Sequence, residues 1–141
     1  MNIIIINGPN LNLLGKREPA IYGKQGFDAV LTDLRQQNPE HHIDYFQSNI
    51  EGELIDKVQQ ADGTYDGIIL NAGGYTHTSV ALGDAVRAIE TPVVEVHISN
   101  VFAREEFRHT SYIAPHCRGI ITGFGINSYA LALAGLKTSS A

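Results

Sequence analysis

The sequence predicts an α/β domain in which one parallel sheet of five strands carries helices on both faces. Short apolar runs of strand length alternate along the chain with segments of helical periodicity. The connections are short, which favours right-handed crossovers between parallel strands. The 141 residues are expected to form a single domain, residues 1–141, that removes about two-thirds of its unfolded surface from water.

The predicted strands cover residues 3–6, 42–48, 67–70, 92–97 and 119–122. The first consists of four isoleucines, and such a β-branched run is typical of a parallel strand that is buried on both faces. The second alternates apolar and polar residues instead. Five strands favour the spatial order 2-1-3-4-5, which is the flavodoxin-like form of the doubly wound sheet.

Two helices are predicted before the third strand. Apolar residues spaced i, i+3, i+4 and i+7 from Phe27 to Leu34 predict an amphipathic helix that ends before Pro39. Ser48 and Glu51 form a capping-box pattern that would open the second helix. The apolar residues that this second helix turns inward are Leu54, Ile55, Val58 and Ala61.

Two more helices are predicted in the second half of the chain. Thr78 or Ser79 can cap a helix that carries apolar residues as far as Ile89 and stops before Pro92. A closing helix, rich in alanine and leucine, is predicted to run from about Asn127.

The composition excludes several classes of protein. A net charge of −5 gives no support to binding of nucleic acid or of an anionic membrane surface, which would require a basic patch. No apolar run approaches the ~20 residues that span a bilayer. Cys117 is the single cysteine and is expected to be a buried structural thiol rather than a nucleophile. Because it cannot form an internal disulfide, we expect a reducing compartment, the cytoplasm.

Polar residues collect at the carboxyl ends of the predicted strands, which in a doubly wound sheet line one crevice beside the switch between strands one and three. The loop after the first strand adds Arg17 and Tyr22, and the turn after the third adds His77. Each residue alone has an ordinary explanation as a turn or core residue, so the predicted site depends on their convergence. The strand-end residues are Asn7, Asn71, Glu95, His97 and Ser99.

Other chemistries fit these positions poorly. The segment Gly123-x-Gly125-x-x-Ser128 lacks the third glycine of a dinucleotide fingerprint, and no residues have the spacing of metal ligands. Two alternatives to an enzyme stay open from the residues themselves. One is a flavodoxin-like module that binds a flavin or a small anion without chemistry. The other is a structural oligomerisation unit.

Five motifs are distributed along the whole chain. They are Gly-Pro-Asn-Leu-Asn at 8–12, Arg-Glu-Pro…Tyr-Gly at 17–23, Tyr-Thr-His-Thr-Ser at 75–79, Glu-Val-His-x-Ser-Asn at 95–100 and Ala-Arg-Glu-Glu-Phe-Arg at 103–108. In this order they resemble the motifs of the type II dehydroquinases. The resemblance implies a flavodoxin-like fold and the conversion of 3-dehydroquinate to 3-dehydroshikimate, by anti elimination of water through an enolate. The reaction would serve the shikimate pathway or quinate breakdown, and it would need no metal or organic cofactor.

The resemblance also implies roles for individual residues. Tyr22 would be the base that removes the proton alpha to the carbonyl, with Arg17 beside it. His97 would be the acid that protonates the departing hydroxyl, and Asn10 would help to hold a water against the enolate oxygen. The residues implied in substrate binding are Asn71, His77, Arg108 and the backbone at Ile98 and Ser99.

The family resemblance further implies a homo-oligomer in which trimers assemble into dodecamers. Asp84 would then contribute to substrate binding across a subunit contact. Two positions depart from the family pattern. Gly83 stands where the family usually has arginine, and Phe102 stands where it usually has histidine. Gly83 is expected to alter a subunit contact or the rim of the site.

Overall fold

The structure, a computed structural model of the chain, describes residues 1–16 and 26–138. Its sheet consists of β1 (Asn2–Asn7), β2 (His42–Gln47), β3 (Gly67–Asn71), β4 (Val93–His97) and β5 (Gly119–Thr122). All paired strands are parallel, and the spatial order is β2-β1-β3-β4-β5. The predicted flavodoxin-like order is therefore confirmed.

Four α-helices cover the two faces of this sheet in the described ranges: α1 (Phe27–Gln37), α2 (Glu51–Ala61), α3 (Val80–Ala88) and α4 (Ser128–Lys137). Helices α1 and α4 pack on one face, and α2 and α3 pack on the other. Within residues 1–16 and 26–138, no helix combines the length and hydropathy needed to cross a membrane.

The isoleucine run of β1 explains how one strand serves both cores. Ile3 and Ile5 pack into the cluster beneath α1 and α4, whereas Ile4 and Ile6 pack into the cluster beneath α2 and α3. All four side chains are at most 1% exposed. Because each fully buried aliphatic side chain stabilises the fold by about 1.5–3 kcal/mol, β1 anchors both layers and fixes the position of the loop that follows it.

The predicted capping box at Ser48 is wrong in its detail. The amide of Ser48 still pairs with the carbonyl of Asn7 at 3.1 Å, as a continuation of the β1–β2 ladder. The helix therefore starts later, and its N-cap is Ile50. The Ser48 hydroxyl accepts from the Ile50 amide at 2.9 Å and donates to Glu53 rather than to Glu51. At the next helix, by contrast, Ser79 caps α3 as predicted and accepts from the Leu82 amide at 2.9 Å.

Cys117 is half-buried rather than fully buried. Its thiol donates to the carbonyl of Ile113 at 3.4 Å. Burial raises the pKa of the thiol to about 12, and the nearby Glu95 carboxylate adds to this. Since the thiolate is the nucleophilic form, the structural interpretation of Cys117 agrees with its surroundings.

Gly83 is buried inside α3, where the segment at Tyr112 crosses over the helix. A Cβ atom built on Gly83 would overlap the backbone carbonyl oxygen of Tyr112. Backbone cannot rotate out of the way as a side chain can, so a larger residue requires the segment around Tyr112 to move. The absence of arginine here therefore has a structural meaning, because it permits this close approach.

We expect Gly83→Ala to lower the free energy of unfolding by about 1–3 kcal/mol, the usual cost of overpacking. This loss should appear although alanine is the better helix former by about 1 kcal/mol. Urea denaturation followed by circular dichroism measures it. Gly52→Ala is the matched control, since Gly52 lies in α2 with open space around it. The control should be neutral or more stable, and equal stability of both variants would contradict the proposed clash.

Candidate active site

The carboxyl ends of β1, β3 and β4 open into one crevice, the usual ligand position in a doubly wound sheet. The crevice is open to solvent, and the space between its walls and across its mouth amounts to about 740 Å³. Its walls come from the loop after β1, the 3-10 turn after β3 (Gly73–His77) and the segment after β4. Among its lining residues are Asn10, Asn71, His77, His97, Ile98, Ser99 and Arg108, all predicted site residues.

Three predicted site residues remain: Arg17, Tyr22 and Asp84. Arg17 and Tyr22 lie outside the described residues. Asp84 is exposed on α3 and does not line the crevice of its own chain. Its contribution to the crevice of a neighbouring subunit stays a prediction.

His97 is held at the end of β4 by a buried acidic partner. Glu95 lies two residues earlier, and since side chains alternate along a strand, both project from the same face. His97 Nε2 lies 2.8 Å from Glu95 Oε2, and the residues are 6% and 2% exposed. A carboxylate only accepts hydrogen bonds, so Nε2 carries a proton. Nδ1 is then the nitrogen that can exchange a proton with a bound molecule.

His77 lies beside His97, with ring centroids 5.9 Å apart and planes inclined by 22°. Its Nδ1 lies 2.8 Å from the carbonyl oxygen of Thr110, so Nδ1 donates and Nε2 is left as an acceptor. Burial lowers the pKa of His77, and the charges of His97 and Arg108 lower it further, although the Thr110 contact opposes this. A neutral His77 can therefore accept a hydrogen bond from a ligand hydroxyl.

Two arginines bring positive charge to the crevice, in a chain whose net charge is negative. Arg104 Nη1 donates to the Ser99 hydroxyl at 3.3 Å. Arg108 Nε donates to Glu105 at 3.1 Å, and its guanidinium lies 4.9 Å from the centre of the Phe107 ring. The contacts hold both guanidinium groups at the mouth of the crevice, where they favour an anionic ligand.

Backbone donors complete the anion-binding character of this wall. Outside the sheet ladder, the N–H groups of Ile98 and Ser99 make no hydrogen bond to the described residues. Their carbonyls are engaged, since Ile98 accepts from the Gly125 amide at 2.9 Å and Ser99 accepts from the Thr122 hydroxyl at 3.0 Å. This backbone is therefore fixed in place while its donors are available to a carboxylate.

Asn71 forms the floor of the crevice as part of a buried network. The Tyr129 hydroxyl donates to Asn7 Oδ1 at 2.8 Å and accepts from Asn71 Nδ2 at 2.9 Å. Asn71 Oδ1 in turn accepts from the Gly73 amide at 3.2 Å. These contacts orient the Asn71 amide and leave it one further N–H and one lone pair for a ligand.

Asn10 enters the crevice from a left-handed backbone conformation, with φ of 71°. Asparagine is one of the few residues other than glycine that adopt this conformation readily. The backbone N–H of Asn10 donates to the side-chain oxygen Oδ1 of Asn49 at 3.0 Å, and this hydrogen bond fixes the turn. The predicted water-holding residue is thus an ordered part of the rim.

The described residues contain no cluster of three or more histidine, cysteine or acidic side chains that could hold a metal ion. The chemistry that these residues can support is proton transfer next to a bound anion. His97 and Glu95 supply a proton donor, His77 supplies a neutral acceptor, and the arginines and backbone supply the anion site.

Comparison with known proteins identifies the family that shares this site. The family model described as dehydroquinase class II matches residues 1–137. The chain belongs to the class II dehydroquinase family. The resemblance deduced from the five motifs is therefore confirmed.

The chain is similar over nearly its whole length to named members of this family. It is 57% identical to the 3-dehydroquinate dehydratase of Rhizobium johnstonii, over 99% of this chain and 97% of that protein. It is 53% identical to the 3-dehydroquinate dehydratase of Campylobacter jejuni, over 96% of this chain and 87% of the relative. The crystal structure of the type II dehydroquinase from Butyrivibrio crossotus matches with a TM-score of 0.94 at 43% identity, covering 98% of each chain.

The sequence placed Glu95 at the predicted crevice without giving it a role, and it did not single out Arg104 or Tyr129. Glu95 has a sequence signal, because its position two residues before His97 places both side chains on one face of a strand. Arg104 lies within a quoted motif but has no spacing that singles it out. Tyr129 has no local signal at all, since it is 122 residues from its partner Asn7.

Phe102, the second departure from the family pattern, is an exposed residue of the short turn after β4. Its side chain is 63% exposed, and its ring centroid lies 5.6 Å from that of His109. It does not line the crevice that contains Asn71, but it lines a neighbouring cavity together with His77 and His97. Nothing in the structure explains why phenylalanine replaces histidine here.

We expect Tyr129→Phe to lower the free energy of unfolding by about 1–3 kcal/mol, because it leaves the buried Asn7 and Asn71 amides without their shared partner. Urea denaturation measures the loss. Tyr65→Phe is a suitable control, since the Tyr65 hydroxyl pairs with Asp44 at a half-buried position away from the crevice. If both substitutions lowered the free energy of unfolding by the same small amount, the hydrogen bonds of Tyr129 to Asn7 and Asn71 would contribute little to stability.

Proposed function

We propose that this crevice carries out the family reaction, the elimination of water from 3-dehydroquinate to give 3-dehydroshikimate. The chain is then a carbon–oxygen lyase of the dehydratase class, with residues 1–141 acting as one catalytic domain. The observation that carries the proposal is the convergence of a carboxylate-paired histidine, His97, with a second, neutral histidine and an anion-binding wall. The substrate is a hydroxylated ring with one carboxylate and so needs all three features.

Substrate binding follows from the donors and acceptors of the wall. The N–H groups of Ile98 and Ser99 and the free N–H of Asn71 suit the carboxylate. His77 Nε2 suits a ring hydroxyl, because the Nδ1 contact with Thr110 makes Nε2 an acceptor. Arg108 adds charge at the mouth, where it favours entry of the anionic substrate.

Proton removal requires an ionised base, and Tyr22 is proposed for that role. A free tyrosine has a pKa near ~10, so a phenolate at neutral pH requires the pKa to fall by roughly two to three units, or about 3–4 kcal/mol. A guanidinium roughly 4 Å away supplies about that much at an effective dielectric constant near 20. One arginine is sufficient, and Arg17 is the proposed source of this charge.

His97 is the proposed acid for the departing hydroxyl. The Glu95 carboxylate occupies Nε2, so the proton that His97 delivers is the one on Nδ1. As the C–O bond breaks, this proton passes to the leaving oxygen and water departs. Tyr22 ends the step protonated and His97 ends it neutral, so one proton must return from Tyr22 to His97 before the next turnover.

The order of the proposed steps follows from acidity. The proton alpha to the carbonyl leaves first and gives an enolate, whose oxygen is stabilised by a water held at Asn10. The enolate then expels the hydroxyl as His97 protonates it. Base and acid act from opposite faces of the ring, which makes the elimination anti. The reaction needs no metal or organic cofactor in this proposal.

A flavodoxin-like binding module without chemistry is the alternative from another class. It would use the same anion-binding wall, but it gives no reason for a buried glutamate to hold a histidine at the ligand. Membership of an enzyme family favours the lyase. We further propose a cytoplasmic enzyme assembled as a trimer-based dodecamer, with no nucleic acid or membrane partner.

Mixing the protein with 3-dehydroquinate should produce ultraviolet absorbance from the conjugated enone of the product. Tyr22→Phe and His97→Ala should each lower kcat by about 10²–10⁴-fold, the usual contribution of general acid–base catalysis. Stopped or continuous absorbance assays measure both. Tyr65→Phe and His116→Ala are the matched controls, because neither residue lines the crevice.

Near-parental turnover in either crevice variant would remove that residue from its proposed role. A well-folded parent protein that gives no absorbance change would instead favour the binding module. Circular dichroism separates these results from loss of folding, which for His97→Ala would indicate a structural histidine.

The proposed contribution of Asp84 across a subunit contact predicts complementation. Asp84→Ala and His97→Ala should each be poorly active alone. Unfolding and refolding them together should restore up to about one quarter of the sites, those that combine an intact His97 with an intact neighbouring Asp84. Absorbance of the mixed preparation measures the recovery. No recovery in oligomers of mixed composition, verified by mass, would contradict a shared site.

A further inference from the structure

A single segment after Arg108 contacts His77 directly and contacts Glu95, the partner of His97. It comprises Thr110 and Ser111, between the 3-10 turns Glu106–His109 and Ala114–His116. The carbonyl of Thr110 lies 2.8 Å from His77 Nδ1. The hydroxyl of the next residue, Ser111, donates to Glu95 Oε1 at 2.7 Å.

The contact at Ser111 reaches His97 through Glu95. One carboxylate oxygen of Glu95 accepts from Ser111, and the other lies 2.8 Å from His97 Nε2. Because Glu95 is only 2% exposed, water cannot replace either partner at low cost. The two contacts together fix the plane of the carboxylate, and this plane determines how the imidazole of His97 is directed.

The Ser111 hydroxyl is itself held rigidly. It accepts hydrogen bonds from the amides of Ile113 at 3.1 Å and Ala114 at 3.0 Å, so its proton is directed away from them, toward Glu95. Ile113 is fully buried in the core under α2 and α3. The neighbouring Tyr112 amide donates to the carbonyl of Thr76 at 3.0 Å, which ties the segment to the turn that carries His77.

We propose that Ser111 is a positioning residue, which holds Glu95 so that His97 presents Nδ1 to the leaving hydroxyl; this inference rests on the proposed function. It does not contact the substrate in this role. Its effect is exerted through Glu95, and the adjoining Thr110 carbonyl sets the orientation of His77 from the same backbone. A displacement of this segment would therefore misalign both imidazoles together.

Removal of the hydroxyl should damage the acid step more than substrate binding. In Ser111→Ala, Glu95 Oε1 has lost its donor, and the carboxylate is free to turn away from His97. We expect kcat to fall by about 10–100-fold, part of the ~10²–10⁴-fold that general acid catalysis contributes, while KM changes much less. Ser111→Thr keeps a hydroxyl and should restore most of kcat.

The pH dependence separates positioning from a general loss of structure. A weaker contact with Glu95 removes stabilisation of the His97 imidazolium, so the basic limb of the kcat profile should move to lower pH by about half a unit or more. The charged and titratable groups around His97 in the described residues are Glu95, His77, Arg104, Arg108 and His109, and none is altered by the substitution.

Ser48→Ala is a closely matched control. The Ser48 hydroxyl also donates to a glutamate, Glu53, and also accepts from the amide two residues later. It does not line the crevice. The control should lose comparable stability in urea yet keep the parental kcat and pH profile. Equal kinetic effects of Ser48→Ala and Ser111→Ala would overturn the positioning role, as would a shift of the basic limb to higher pH.

A measurement without substrate keeps this inference separate from the proposed function. Titration of His97 by nuclear magnetic resonance, in protein labelled at its histidines and assigned with His97→Ala, reports its ionisation directly. A lower His97 pKa in Ser111→Ala than in the parent and in Ser48→Ala supports the positioning role even if the parent does not dehydrate 3-dehydroquinate. An unchanged titration would overturn it, whatever the activity of the parent.

Discussion

The burial of one carboxylate, that of Glu95, constrains most of what the crevice can do. A carboxylate inside a parallel sheet has lost its water and is costly unless both oxygens have donors. The strand supplies one donor from two residues along the same face, His97, and the segment after the arginines supplies the other, Ser111. The same requirement therefore fixes the proton-bearing nitrogen of His97 and the path of the chain over α3. The two hydrogen bonds that the buried Glu95 carboxylate needs for stability are thus the same bonds that orient His97 in the proposed site.

The two stacked histidines, His77 and His97, have different surroundings. Two imidazolium groups with centroids 5.9 Å apart would repel each other, and only one of them has a carboxylate partner. Burial lowers the pKa of His77, and the neighbouring His97 and Arg108 lower it further. We propose that the same side chain acts as the acid at His97 and as a neutral hydrogen-bond acceptor at His77. The difference lies in what contacts the second nitrogen: a carboxylate at Glu95, a backbone carbonyl at Thr110.

The sequence predicts this fold well because its signals are local. The isoleucine run, the apolar spacing from Phe27 and the cap at Ser79 each operate within a few residues, and the strand order follows from short right-handed connections. The position of the site was also predictable, because the carboxyl ends of β1, β3 and β4 meet at one edge of the sheet. Contacts that depend on the assembled chain were not: Tyr129 joins Asn7 from the last helix, and Ser48 keeps its strand pairing and so displaces the helix start. Neither contact can be deduced from the spacing of residues along the sequence.

Gly83 links a local departure in sequence to the geometry of the crevice. The arginine expected there would require space that the carbonyl of Tyr112 occupies. With glycine, the segment can lie directly on α3, and its next hydrogen bond, from the Tyr112 amide to Thr76, joins it to the turn of His77. The absence of a side chain at this buried position therefore leaves room for the segment that carries Ser111.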